Sequence, residues 1–447
     1  MPLPIFLPCA AGVEALLESE VRALLPDARI TAQRGGVAMA ADPREVMLLN
    51  LESRLAQRVL IEVAAGDYRD ENDLYVLARS VDWSDWITPQ QTLRVDTTAQ
   101  KSPLKSLNFA ALRIKDAVCD QLRETSGERP SVDTARPDLT IVLHVGAERA
   151  QVYVDSSGES LFKRGWRADT GDAPLKETLA AAMLAAAGWR GTHAAGGALH
   201  DPCCGSGTIA IEAAQIACGI APGALRRFAF ERLLPFANAE ARAALQRMRS
   251  RARDRVHAPQ VPIFASDLSF RMVDFARRNA ERAGVAHAIQ FNGGDALERP
   301  APDLPADLHG TLLMNPPYGE RIEVGGKSAA REGAPTLTPF AAPRGGGGAL
   351  GAARRAPHAP RESAEDRSTP SDFFARLATH WKHTYTVHPA GWTAWILSPD
   401  LRLPSAMRLK ESRRVPLWNG PIECRLFRFE LVAGSARGDR AAALRDA

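Results

Sequence analysis

Cysteine is scarce, with six in 447 residues, at positions 9, 119, 203, 204, 218 and 424. So few scattered thiols cannot staple a chain of this length, and no two pairs form a C-x-x-C…C-x-x-C pattern. A disulfide scaffold and a structural zinc site are both unexpected, and a reducing compartment is indicated. Long apolar runs are missing too. The longest apolar helix candidate, residues 178–189, is Ala-rich and well short of the ~20 residues that span a bilayer. The N-terminus, MPLPIFLPCAAGVEALL, has no basic segment and holds prolines and Glu14, so it does not read as a secretion signal, and the cytoplasm is the expected location. Strong net charge is absent as well: +4 permits contact with nucleic acid without demanding it, so the distribution of charge must carry that argument. His380, His383 and His388 cluster without acidic or thiol partners at ligand spacing; they read as packing or surface groups, and no metal is expected.

The length exceeds what one hydrophobic core usually serves, so two or three domains are expected. Residues 1–165 have an α+β texture. Leu139, Ile141, Leu143 and Val145 alternate, Val152 and Val154 follow, and Gly146-Ala147 between them predicts a hairpin. Residues 108–124 predict a helix with Ala111, Ile114, Val118 and Leu122 on one face. Residues 170–435 instead alternate strand, glycine turn and helix, the rhythm of a parallel α/β sheet. Strands are predicted at 198–200, 262–265 and 311–314, and a helix from 269 to the stop at Gly284. Residues 327–368 break the rhythm: rich in Gly, Ala, Pro and Arg and almost free of large apolar side chains, they are expected to form a disordered insertion. Residues 436–447 form a tail.

A first candidate site is the turn Asp201-Pro202-Cys203-Cys204-Gly205-Ser206-Gly207-Thr208, between a predicted strand and helix. Glycines let backbone approach a ligand closely, and a helix N-terminus offers free N–H groups. Gly205-x-Gly207-x-x-Ala210 also satisfies the dinucleotide fingerprint, which keeps a dehydrogenase open. Two features oppose it. Asp201 at the strand end would repel a pyrophosphate but suits the cationic groups of S-adenosylmethionine. The acid expected about 20 residues on is missing, and the next acid at a strand end, Asp267, comes much later. Asp267 is placed to accept from ribose hydroxyls and Asp295 from an adenine amine; each could instead cap its following helix.

A second candidate is Asn315-Pro316-Pro317-Tyr318, directly after a predicted strand. An exocyclic base amine is a poor nucleophile because its lone pair is delocalised into the ring. Two acceptors, the Asn315 side-chain oxygen and the Pro316 carbonyl, can pull its two N–H bonds toward tetrahedral geometry. Consecutive prolines stiffen the loop, and Tyr318 can stack on the base. Positioning supplies much of such a rate, and no strongly perturbed base is required. Basic clusters at Lys101, Lys105, Arg113 and Lys115, and at Lys163, Arg164 and Arg167 around Trp166, are candidate contacts to RNA phosphates. A target base in folded RNA would have to be turned out of its stack.

Together PLKETL at 174–179, DPCCGSGTIAIEAA, SDLSFRMVDFARRNAERAGV, MNPPYGER and the tail VPLWNGPIECRLFRFELVAG resemble the bacterial THUMP-containing 23S rRNA guanine-N2 methyltransferases. DYRDENDLYVLARSVDWSDW, VDTTAQKSPLKSLNFAALRIKDAV and DSSGESLFKRGWR are similar to that family's THUMP region, about residues 45–157 here. The resemblance implies a Rossmann-like class I methyltransferase domain behind an α+β THUMP-containing RNA-binding module. It implies S-adenosylmethionine as donor and a guanine N2 of 23S rRNA, free or in a large-subunit assembly intermediate, as acceptor. By motif match, Lys176, Glu177 and Thr178 would border the cofactor, and the turn with Asp201, Cys203, Gly205, Gly207 and Thr208 would cradle it. Asp267 would hold the ribose, Asp295 the adenine side, and Asn315, Pro316, Pro317 and Tyr318 would be catalytic. Some relatives carry a second methyltransferase domain; with the chain stopping at Ala447, that domain is expected to be absent. A tRNA guanine-N2 methyltransferase, and less readily a protein-glutamine amide methyltransferase, remain alternatives.

Overall fold

The computed structural model describes residues 2–171, 174–317 and 370–432. Tyr318, the 327–368 insertion and the 436–447 tail lie outside the described residues.

The N-terminal half runs β1 (Leu3–Pro8), α1 (Glu14–Leu24), β2 (Ile30–Gln33), β3 (Gly36–Ala41), α2 (Pro43–Glu52), β4 (Leu60–Asp67) and α3 (Glu71–Arg79). It continues through β5 (Thr92–Ala99), α4 (Leu107–Ser126), β6 (Ser131–Val132), β7 (Leu139–Val145) and β8 (Arg149–Asp155). Among the described residues these strands form one sheet in the order β2-β3-β1-β4-β8-β7-β5-β6. The expected hairpin is β7–β8, antiparallel with Leu143 opposite Val152. The expected helix is α4, capped by the Ser106 hydroxyl and ended by Gly127 at φ +79°. It buries Ala110, Ile114, Ala117, Val118, Cys119 and Leu122, so the inward stripe holds the predicted Ile114, Val118 and Leu122 but begins at Ala110 rather than Ala111.

The second half runs α5 (Glu177–Ala187), β9 (Ala198–Asp201), α6 (Thr208–Ala217), α7 (Ala239–Asp254), β10 (Ile263–Asp267), α8 (Phe270–Arg282), β11 (Ile289–Gly293) and β12 (Gly310–Met314). After the undescribed stretch come α9 (Pro370–Thr384), β13 (Trp392–Ser398), α10 (Leu403–Met407), β14 (Arg413–Asn419) and β15 (Ile422–Leu431). The sheet order is β11-β10-β9-β12-β13-β15-β14. Strands β9 to β13 pair in parallel, and β15 is antiparallel to both neighbours. Chain order reverses between β9 and β12, and in open α/β sheets a ligand crevice forms outside the strand ends at such a point. The Ala-rich α5 is buried nearly all round, which accounts for its continuous apolar character. Among the described residues no helix is long and apolar enough to cross a membrane.

The two halves are locked by buried polar groups as well as apolar packing. Glu212 on α6 accepts from Arg164 Nε at 3.0 Å and from Arg54 Nη1 at 3.3 Å. Arg226 donates to the carbonyls of Glu159, Ser160 and Lys163, pinning the segment between the sheets.

Candidate active site

The C-terminal ends of β9, β10 and β12, and the loop after β11, open into one cleft of about 860 Å³, within the range of small-molecule and cofactor sites. Asp201 ends β9, is buried, and accepts from Cys203 N–H at 3.2 Å through Oδ1. The turn that follows needs its glycines. Gly205 sits at φ +52° facing open space, so a ligand can come against its backbone. Gly207 caps α6 at φ +89°, and a Cβ there would lie 2.9 Å from the Ala276 methyl of α8.

Asp267 ends β10. Its Oδ2 accepts from Gly205 N–H at 2.9 Å and its Oδ1 from Ser269 N–H at 2.9 Å. It therefore ties the second strand to the glycine turn, while the cap of α8 is Ser269. Asp295 accepts from Leu297 N–H at 2.9 Å and faces the same cleft. Asn315, Pro316 and Pro317 leave β12, the neighbour of β9, and line the same cleft; Tyr318 lies outside the described residues.

The electrostatics discriminate between ligands. Among the described lining residues there are three carboxylates and no Lys or Arg. Burial raises the Asp201 carboxyl well above the usual range, and neighbouring Asp267 adds to the effect; burial raises Asp267 too. A pyrophosphate would meet repulsion here, whereas a ligand with a positive centre would be held and would return these acids to the ionised form. This donor set fits S-adenosylmethionine. Burial, then the nearby acids, push the Cys203 and Cys204 thiols well up, which disfavours the thiolate at both.

The remaining expected residues divide. Thr208 lines the cleft, but Lys176, Glu177 and Thr178 stand behind it, with Pro174 and Leu175 in the lining instead. Glu177 and Thr178 are buried, and Lys176 Nζ lies 5.2 Å over the Phe162 ring. Two of the residues expected to contact RNA do not face solvent as a phosphate contact requires. Arg164 is buried, with its guanidinium committed to Glu212 and to the carbonyls of Leu161 and Arg54. Arg167 turns inward and donates to Glu177 Oε1 at 2.7 Å, Ser206 Oγ at 2.9 Å and Thr208 Oγ1 at 2.8 Å, bracing the cofactor turn from behind. The Trp166 between them is buried, so the interleaved aromatic marks packing. Lys101, Lys105 and Lys163 are exposed. Arg113 is half-buried over the Tyr75 ring at 4.5 Å, and Lys115 pairs with Asp116 at 2.7 Å.

Sequence reasoning missed Phe270, Phe373, Asn419 and Ile422, which complete the lining. Asn419 and Ile422 flank the β14–β15 turn, and Trp-Asn-Gly-Pro-Ile between alternating runs was a legible hairpin signal. Phe373 lies on α9, beyond the long insertion, and nothing in its local pattern pointed to the cleft.

Three family models match in succession: an RlmL ferredoxin-like domain at residues 4–60, a THUMP domain at 68–155, and an RMKL-like methyltransferase domain at 164–331. The ribosomal RNA large subunit methyltransferase K/L of Syntrophotalea carbinolica is 33% identical over 444 residues, 96% of this chain and 54% of that protein. A putative RNA methyltransferase of Synechocystis is 32% identical over 432 residues, 96% of this chain and 97% of that one. The chain thus spans about half the length of the K/L relatives and nearly all of the Synechocystis protein. In structure, a putative methyltransferase crystallised with SAH, SMU.472, superposes with a TM-score of 0.76 at 24% identity, covering 97% of this chain and 99% of that one, a likeness of fold. The chain belongs to the THUMP-containing family of S-adenosylmethionine-dependent methyltransferases that includes the ribosomal RNA large subunit methyltransferases K/L.

Proposed function

We propose that the chain methylates the exocyclic N2 amine of a guanine in 23S rRNA, free or within a large-subunit assembly intermediate, with the base flipped into the cleft. The observation that carries this reading is the meeting, in one cleft free of Lys and Arg among the described lining residues, of Asp201, Asp267 and Asp295 with Asn315, Pro316 and Pro317. When bound, S-adenosylmethionine supplies a methyl group on a positively charged sulfur. Asp201 would balance the cofactor's positive charge at the glycine turn, Asp267 would accept from its ribose and Asp295 from its adenine. The Asn315 side-chain oxygen and the Pro316 carbonyl accept from the two N–H bonds of the acceptor amine. That freezes the amine in the orientation for attack and draws its lone pair out of conjugation, a gain from positioning rather than from a strong base. The adjoining Tyr318 is the natural partner to stack on the base. Lys101, Lys105 and Lys163, with Arg113 and Lys115 in support, give the N-terminal half its contacts to phosphates.

The test is mass spectrometry of rRNA and tRNA nucleosides from cells lacking the protein, with methylation of purified RNA by the protein alongside. Loss of one N2-methylguanosine from 23S rRNA is expected. Loss from tRNA alone would move the substrate, and unchanged RNA on both counts would reject the reading.

A further inference from the structure

Helix α9 starts at the cleft and leads away from it. Phe373 lines the cleft; Arg376, Thr379, His380 and His383 then follow at the i, i+3, i+4, i+7 spacing that puts them on one face. The other face, Phe374, Leu377, Ala378 and Trp381, is buried against β12 and β13. The outward face, with Lys382 and with Arg408 just after α10, lines a second groove of about 560 Å³. Leu297 lines both cavities, so the groove adjoins the cleft.

The charge of this groove is opposite to that of the cleft. Its described lining contains no carboxylate. Arg376, Lys382 and Arg408 are exposed, and no ion-pair partner is found for any of them among the described residues. Some exposed arginines elsewhere are paired, as Arg22 is with Glu18 and Arg402 with Asp400, and others, such as Arg29, Arg34 and Arg190, have no ion-pair partner among the described residues either; the groove differs in bringing three such cations to one concave lining. His380 is anchored, its Nε2 donating to the Arg299 carbonyl at 2.7 Å, which fixes the floor of the groove. The N-terminal half packs elsewhere, through α1 on α5 and α2 on α7.

A nucleotide turned into the cleft brings its flanking phosphates to the cleft mouth. The groove's cations, which have no ion-pair partner among the described residues, put positive charge beside the cleft for those phosphates. We propose that the α9–α10 groove seats the phosphate backbone of the substrate RNA next to the flipped base. This rests on the reading of the cleft as an RNA-modifying site. The groove is a contact made by the catalytic half itself, independent of the N-terminal module.

The test uses the full chain with Arg376→Gln, Lys382→Gln and Arg408→Gln combined, and unmethylated transcribed 23S rRNA as the probe. Affinity is measured from about 50 to 300 mM salt, and S-adenosylmethionine binding is measured in parallel as the check on folding. The expected result is roughly a tenfold or greater loss of RNA affinity. The slope of log affinity against log salt should shrink by about 2, three single-strand phosphate contacts at ~0.7 each. Cofactor affinity should not change. Wild-type methylation of 23S rRNA with unchanged affinity and slope in the variant would overturn the groove alone. A wild-type chain that neither binds nor methylates RNA would overturn both readings. Unchanged RNA binding with lost adsorption to anionic phospholipid vesicles would assign the groove to a membrane surface instead and overturn the proposal.

Discussion

Replacing Glu212 with Gln tests what joins the two halves. The Glu212 side chain is fully buried on α6, the helix that starts at the glycine turn. It faces two guanidinium groups: Arg164 from the connecting segment, at 3.0 Å and 3.4 Å, and Arg54 from the N-terminal half, at 3.3 Å. Glu20 orders Arg54 in turn, accepting from its backbone N–H at 3.1 Å and from the Ser53 hydroxyl. Burial already disfavours the charge on Arg54, and Glu212 is its main compensation. Glutamine keeps the shape and one acceptor but removes the countercharge, leaving the buried Arg164 and the half-buried Arg54 facing a neutral amide. Breaking a buried pair in this way costs about 3–5 kcal/mol. That is a large part of the ~5–15 kcal/mol by which a folded domain is stable. Denaturant unfolding followed by the combined fluorescence of the tryptophans buried in both halves reads it as a lower midpoint at unchanged slope. Glu18→Gln, which breaks the exposed pair with Arg22, serves as the control at about 0.5 kcal/mol or less. A loss below about 1 kcal/mol for Glu212→Gln would refute the reasoning.

Three further outcomes are expected. Asn315→Ala lowers turnover on the order of 10²–10³-fold, by analogy with loss of one positioned hydrogen bond in a site, while cofactor affinity by calorimetry stays within about threefold; normal turnover would remove Asn315 from the mechanism. Burial raises the folded Asp201 carboxyl, so the folded chain holds a proton that the unfolded chain releases. Its stability contribution is therefore greatest below the ordinary carboxylate range and falls as pH climbs through the raised value. A cationic cofactor favours the ionised form, so the thermal stabilisation given by S-adenosylmethionine should grow with pH over that window and flatten in Asp201→Asn; parallel profiles would contradict the assignment. Gly207→Ala must hold φ near +89° and put a methyl 2.9 Å from Ala276, which should cost about 1–3 kcal/mol and weaken the cofactor turn; an unchanged melting temperature would show that α6 and α8 separate freely.

The fold was legible where periodicity and punctuation agreed. The β7–β8 hairpin, the stop of α8 at Gly284 and the strand before Asp201 all follow from alternation broken by glycine. The rim acids were legible because each stands at or just past a strand end, a position that the chain itself marks. Arg164 and Arg167 were misjudged because local composition cannot report burial. A basic run with an aromatic reads the same on a surface as in an interface, and the partners Glu212, Ser206 and Thr208 lie some 40 residues or more along the chain. Asn419 and Phe373 were missed for a related reason. Their place in the cleft depends on how β15 returns antiparallel beside β13 and on where α9 begins.

One apolar cluster runs from Ile5 of the first strand to Leu426 of the last, crossing the boundary between the two sheets without interruption. The boundary near residue 165 is thus one of chain topology and not of cooperativity. A fragment ending there would expose half of a shared core and an ion cluster without its anion. Hydrogen exchange should find the slowest amides of both sheets opening together, as a single unfolding unit that holds the cofactor turn and the N-terminal half in one event.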